Sequence, residues 1–192
     1  GIRERFTALA DASAIVGSHA TRAHGTIGGN VMNASPAMET GGPLVCLGAT
    51  ATLRSLGGTR TVPVEDLFTG PGATAASPDE LLVAIDVPTP EPGTGSAYVR
   101  LEYRRQMEIA VVGATAVVTL AEGRVDDARV AITALAPTML NFLLQHPKID
   151  DYDLSTLRNI GYGAAAMPVE VLKAAIQRFG PIVYSGFGMT EL

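Results

Sequence analysis

The sequence holds 192 residues, enough for one ordinary domain or two small ones. Hydrophobic residues make up 47% and charged residues only 17%, below the roughly 25% of an average soluble domain, which fits a well-buried chain or one that sits against partners. A net charge of −5 argues against nucleic acid, and the longest apolar run, residues 109–120, falls well short of the ~18–20 residues of a membrane span.

No charged segment followed by an apolar stretch opens the chain, so no signal peptide is read there, and the start at Gly1, without Met, reads as a cut. The lone Cys46 lies in Leu44-Val45-Cys46-Leu47 and is expected to be a buried, inert thiol in a reducing compartment. Ile2, Phe6, Leu9 and Ala10 have helical spacing over residues 1–16. Residues 17–40, rich in Gly, Ser, Asn, Thr and Pro, read as one long loop. Gly41-Gly42-Pro43 opens a short apolar segment to residue 49 that reads as helix. Residues 50–56 and 59–64 flank Gly57-Gly58, a hairpin signal. A turn over 65–68, a loop at Gly70-Pro71-Gly72 and a strand over 81–87 follow.

Residues 88–95 hold three prolines and two glycines and read as an interdomain linker. Residues 97–103, 109–120 and 125–135 then suggest an antiparallel meander. Beyond Pro137 the texture changes. A polar, acidic stretch at 146–153 precedes a strand over 157–162. A helix opens at Pro168 and runs to Phe179, with Val171, Leu172, Ala175, Ile176 and Phe179 on one face. Gly180-Pro181 stops it before a short strand at 182–184, giving a strand, helix, strand rhythm.

A diphosphate needs several backbone N–H groups converging on its oxygens with no side chain in the way. Thr26-Ile27-Gly28-Gly29-Asn30 offers such a cradle, although Gly-Gly-Asn alone also makes a plain turn. The text from His24 through Asn33-Ala34-Ser35-Pro36 resembles the flavin-binding medium subunit of the xanthine dehydrogenase and aerobic carbon-monoxide dehydrogenase family. So do Leu47-Gly48-Ala49, Phe68-Thr69-Gly70-Pro71-Gly72, Asp79-Glu80-Leu81-Leu82 and the run from Tyr103-Arg104-Arg105 to Val112. The likeness covers about residues 1–137.

The resemblance implies an FAD domain in which Thr26, Gly28, Gly29 and Asn30 meet the pyrophosphate and Ser35 makes a polar contact. The family's Ser-Pro-x-x-Asp carboxylate falls at Glu39, one methylene longer. Its basic residue near the flavin falls at Arg100, and the acidic residue before Ile-Ala falls at Glu108. Plain structural readings stand beside these: a loop cap for Ser35, a solvated charge for Glu39, and an ion pair of Arg100 with Glu102 or Glu108. The family's earlier glycine loop has no counterpart in this sequence. The resemblance also implies partners: a molybdopterin-bearing large subunit and an iron–sulfur small subunit, since one Cys cannot hold an iron–sulfur centre.

Residues 139–192 instead resemble adenylate-forming acyl-CoA synthetases, through Asp153-Leu154-Ser155-Thr156-Leu157-Arg158, Gly163-Ala164-Ala165-Ala166-Met167-Pro168 and Gly186-Phe187-Gly188-Met189-Thr190-Glu191. By that resemblance Gly163, Ala164, Ala165 and Phe187 flank an adenine, Thr190 meets the α-phosphate and Glu191 holds Mg²⁺. That family's Lys-bearing phosphate loop and C-terminal lid have no counterpart here. The two patterns overlap on Pro137-Thr138, as in a chimera of two fragments.

The expected architecture is α+β: an incomplete FAD-binding domain (1–92), the start of a flavoprotein C-terminal domain with an antiparallel meander (96–137), and a short α/β tail from an adenylate-forming domain (139–192). The expected function is an FAD-binding subunit of a molybdenum hydroxylase, cytoplasmic, relaying electrons from iron–sulfur centres to an acceptor. The alternatives are an ATP-dependent acyl-CoA synthetase fragment or an inactive chimera. His19, His24 and His146 lack ligand spacing, so no metal site is expected.

Overall fold

In the computed structural model the N-terminal apolar pattern folds as two helices, α1 (Ile2–Arg5) and α2 (Thr7–Ile15). They part at Phe6, whose φ of −127° and ψ of 53° leave the helical region. The structure describes residues 1–102, 112–133, 137–157, 160–162 and 166–185. These fall into two units, Gly1–Thr133 and Ala134–Leu192.

The single long loop expected over residues 17–40 is corrected by two short helices, α3 (His19–His24) and α4 (Ile27–Met32). Side-chain caps explain both. Ser18 Oγ accepts the Thr21 amide at 3.1 Å and Thr26 Oγ1 accepts the Gly29 amide at 2.9 Å. Two glycines are poor helix formers, so α4 relies on its cap and on Val31, which is fully buried. Helix α5 (Gly41–Cys46) forms where the apolar segment predicts it. Cys46 is buried within it, and burial pushes its thiol up to about 11, the inert state expected.

The hairpin forms as β1 (Thr50–Ser55) and β2 (Gly58–Pro63). Its turn sits one residue earlier than Gly57-Gly58. Ser55 pairs with Gly58, and the Ser55 hydroxyl accepts the Gly57 amide at 3.1 Å. A single helical turn, α6 (Val64–Leu67), replaces the expected plain turn because Val64 and Leu67 are both drawn fully into the core. After the small ladder of β3 (Phe68–Gly70) and β4 (Ala73–Thr74), strand β5 (Leu81–Asp86) pairs antiparallel with β1. The sheet order is β2-β1-β5. Arg60 of β2 clamps the loop before β5, bonding Glu80 through both carboxylate oxygens at 2.6 and 2.7 Å and the Ala75 carbonyl at 2.7 Å.

Residues 88–95, the stretch of linker composition, run within the first compact unit and close on the second sheet. Gly93, at φ +87°, accepts the Leu120 amide at 3.1 Å. From there β6 (Thr94–Leu101), β7 (Val112–Ala121) and β8 (Arg124–Thr133) form an antiparallel sheet in the order β6-β7-β8. Residues 103–111, part of the expected meander, lie outside the described residues. The inner face carries Tyr98, Arg100, Thr115 and Val117. Gly42 lets α5 approach it closely: a Cβ there would stand 2.9 Å from Thr115 Oγ1. Leu9, Val31, Leu44, Leu53, Leu67 and Val117 share one core.

The second unit begins with a helix not anticipated from the sequence, α7 (Pro137–Leu144), followed by a 3₁₀ turn at Ile149–Asp151. Strand β9 (Ile160–Tyr162), helix α8 (Val169–Phe179) and strand β10 (Val183–Ser185) then form the expected strand, helix, strand unit, with β9 parallel to β10. Pro168 is the residue before α8, and Gly180 at φ +84° ends it. Leu140, Ile160 and Ala175 make its core. Ile176, expected on the inner face of α8, is 43% exposed, because Ala175 takes the central packing position.

Two stability effects follow. A Cβ at Gly93 would lie 2.5 Å from the Leu120 carbonyl oxygen, so Gly93→Ala should cost about 2 kcal/mol or more in urea unfolding. A midpoint unchanged from the parent chain would refute the close approach. The Arg60 guanidinium, with the Ser77 amide, holds the Glu80 carboxyl at about 2 instead of 4.5. A depressed carboxyl stabilises the fold above its unfolded value, and the gain is lost as pH falls towards about 2. Arg60→Gln should flatten the dependence of the urea midpoint on pH in that window, and a profile identical to the parent's would show the clamp to be idle.

Candidate functional site

Thr26 leaves α3 in an extended conformation (φ −124°, ψ 155°) and turns the chain into α4. Its hydroxyl is used by the Gly29 amide. The amides of Ile27 and Gly28, in the first turn, have no hydrogen-bond partner among the described residues. They open beside a groove of about 350 Å³. One wall is the start of α4, with Thr26, Ile27 and Gly28. The others are Leu9 of α2, Leu44 of α5 and residues 82–85 and 87 along β5. Gly28 and Gly29 are both helical, and Gly28, the one at this edge, contributes a missing side chain and not a left-handed backbone. A Cβ on Gly28 would stand 3.6 Å from Leu82 Cδ2, across the groove.

The other expected residues lie elsewhere. Gly29 faces the Thr26 hydroxyl, 3.2 Å from where its Cβ would be. Asn30 Oδ1 accepts a hydrogen bond from Thr40 Oγ1 at 2.5 Å. Ser35 Oγ accepts the Ala37 amide at 3.3 Å, a local turn contact. None of these three lines the groove. Glu108, Gly163, Ala164, Ala165, Phe187, Thr190 and Glu191 lie outside the described residues.

Glu39 and Arg100 meet each other. Arg100 Nη1 bonds Glu39 Oε1 at 2.9 Å, with side chains 3% and 8% exposed respectively. Arg100 also bonds Glu102 through Nε at 2.5 Å and the Ile15 carbonyl at the end of α2 at 3.2 Å. The solvated charge considered for Glu39 is therefore corrected to a buried ion pair. The pairing of Arg100 with Glu102 holds, with Arg100 buried and Glu102 half-buried. Burial pushes the Glu39 carboxyl above its usual value, against the pull of its own amide and of Arg100. Two hydroxyls on the same sheet face, Tyr98 Oη and Thr115 Oγ1, are buried without a partner among the described residues. They are direct register partners across β6 and β7. Burial, and then the nearby Glu39 charge, push the Tyr98 hydroxyl up to about 12.

Thr40 and the β5 wall were not legible in the sequence. The position of Thr40 before Gly41-Gly42-Pro43 suggests a helix cap, which its hydroxyl does not make. The aliphatic residues of β5 gave no signal, because groove walls and core strands have the same composition.

The groove thus joins an apolar wall along β5 to the first turn of α4 at Thr26, Ile27 and Gly28. Residues 1–90 match the family described as FAD binding domain in molybdopterin dehydrogenase. This stretch is an FAD-binding domain of the carbon-monoxide and xanthine dehydrogenase medium-subunit family. Among particular proteins, the carbon monoxide dehydrogenase medium chain of Afipia carboxidovorans is 35% identical over 132 residues, 69% of this chain and 46% of that one. The 6-hydroxypseudooxynicotine dehydrogenase complex subunit alpha of Paenarthrobacter nicotinovorans is 31% identical over 182 residues, 94% of this chain and 58% of that one. The solved reconstituted CO dehydrogenase from Oligotropha carboxidovorans superposes with a TM-score of 0.66 at 32% identity, over 70% of this chain and 47% of that one. The chain thus spans about half the length of the curated relatives it matches. Residues 106–192 also match the family described as AMP-binding enzyme.

The raised Glu39 carboxyl works in the opposite sense to Glu80. Its protonation favours the fold, a contribution fully present below 4.5 and lost as pH rises through the higher folded value. At neutral pH the ionised carboxylate stands 2.9 Å from the buried Arg100, and this pairing offsets part of its burial cost. Glu39→Ala should therefore destabilise the chain by about 2 kcal/mol at pH 7, less than a fully isolated buried charge costs because Glu102 remains. Urea unfolding measures it, and a loss under about 0.5 kcal/mol would mean that Arg100 does not depend on this partner.

Proposed function

We propose that this chain is the FAD-holding part of a molybdenum hydroxylase-type oxidoreductase, relaying electrons from iron–sulfur centres through FAD to an acceptor. The carrying observation is the groove beside Thr26, Ile27 and Gly28, apolar along β5 and ending in unpartnered amides, on a stretch that matches an FAD-binding family. The amides of Ile27 and Gly28 would hold a phosphate oxygen of the cofactor. Leu9, Leu44, Leu82 and Ile85 would shield an apolar part of it from water. Bound FAD would supply the electron-carrying chemistry, and the chain's own residues bind and orient it. Its partners would be a molybdopterin-bearing large subunit and an iron–sulfur small subunit, in the cytoplasm. Among the described residues no helix is long and apolar enough to cross a membrane.

For residues 139–192 the match to AMP-binding enzymes favours a second reading, a fragment of an adenylate-forming domain. Gly163, Ala164, Ala165, Phe187, Thr190 and Glu191 would be its nucleotide and Mg²⁺ contacts. ATP–pyrophosphate exchange dependent on a fatty acid would support that reading, and its absence would leave the segment without an adenylating role.

Flavin titration followed by fluorescence quenching tests the main reading. Gly28→Val should weaken FAD binding at least about tenfold, because its side chain would fill the groove edge against Leu82. The unfolding temperature should move little, since the new Cβ meets only ordinary van der Waals neighbours. Equal binding by parent and variant, or none by the parent, would sink the proposal.

A further inference from the structure

Three helices wall the groove, and one dipeptide ties them. Thr40 is the residue before α5, where a threonine normally turns its oxygen to a helix amide. Here it makes no such cap. Its hydroxyl, on a residue 1% exposed, donates instead to Asn30 in the middle of α4. Its neighbour Glu39 pairs with Arg100, which also holds the Ile15 carbonyl at the end of α2. Helix α2 supplies Leu9 to the groove, α4 supplies Thr26 to Gly28, and α5 supplies Leu44. A lost cap is a local cost, and such breaches of a local rule mark places where another requirement wins.

We infer that Thr40 is a positioning residue: through Asn30, and beside the Glu39–Arg100 pair, it sets the spacing of α2, α4 and α5, and so the shape of the groove. The functional meaning of this rests on the flavin reading of the groove. Thr40→Val keeps the shape of the side chain but leaves the half-buried Asn30 oxygen without the Thr40 donor. Thr40→Ser keeps the donor.

The test uses two readouts on the whole chain. The first is amide hydrogen exchange by NMR at residues 28–33, with the β1 and β2 amides as internal reference. The second is FAD titration. Thr40→Val should speed exchange at residues 28–33 about tenfold and weaken FAD binding by a similar factor, with β1 and β2 unchanged. Thr40→Ser should match the parent within about twofold on both. Exchange in Thr40→Val equal to the parent would overturn the inference, as would Thr40→Ser behaving like Thr40→Val. Failure of the parent chain to bind FAD would sink the flavin reading instead, and the exchange comparison would still decide whether Thr40 holds α4.

Discussion

A guanidinium sealed from water cannot be left without an opposite charge, and Arg100 is such a group. Burying an ion is costly unless pairing and hydrogen bonds replace its hydration. Arg100 meets that demand with Glu39, Glu102 and the end of α2. The demand has a structural result: the turn after α4, the end of the second helix and strand β6 must converge on one point. Residues 1–93 and the β6-β7-β8 sheet belong to one unit partly for this reason, although the proline-rich text between them suggests a joint.

The groove inherits its form from that convergence. Its apolar wall is strand β5, paired on one side to β1 and facing α4 on the other. Its polar end is two amides at the start of a six-residue helix. Neither would be precise alone, because a short helix containing two glycines has little stability of its own. The Thr26 cap, the buried Val31 and the Asn30–Thr40 bond compensate. Binding surfaces built this way depend on the elements behind them at least as much as on the residues that line them.

The family likeness was legible in the motifs, and so were most strands. Gly57 next to Gly58 marked the hairpin, and alternation marked the β6-to-β8 meander. Missed features share a cause. Helices α3 and α4 hide inside a Gly- and Ser-rich text, because a cap hydroxyl and one buried valine outweigh poor intrinsic propensity. Pro88 to Gly95 has linker composition, and composition does not report where Gly93 meets Leu120. Helix α7 gives no helical stripe, because its apolar residues 139, 140, 142, 143 and 144 run almost unbroken.

The order of residues by itself determined the family likeness, the hairpin, the strand–helix–strand tail and the inert character of Cys46. These rest on interactions a few residues apart or on composition, so spacing along the chain reports them. Only the tertiary structure decided that Glu39 and Arg100, 61 positions apart, neutralise each other, and that Thr40 serves Asn30 in place of its own helix. Long-range pairing of charges and hydroxyls depends on which faces the fold brings together, and a carboxylate bound for solvent has the same letter as one bound for the core.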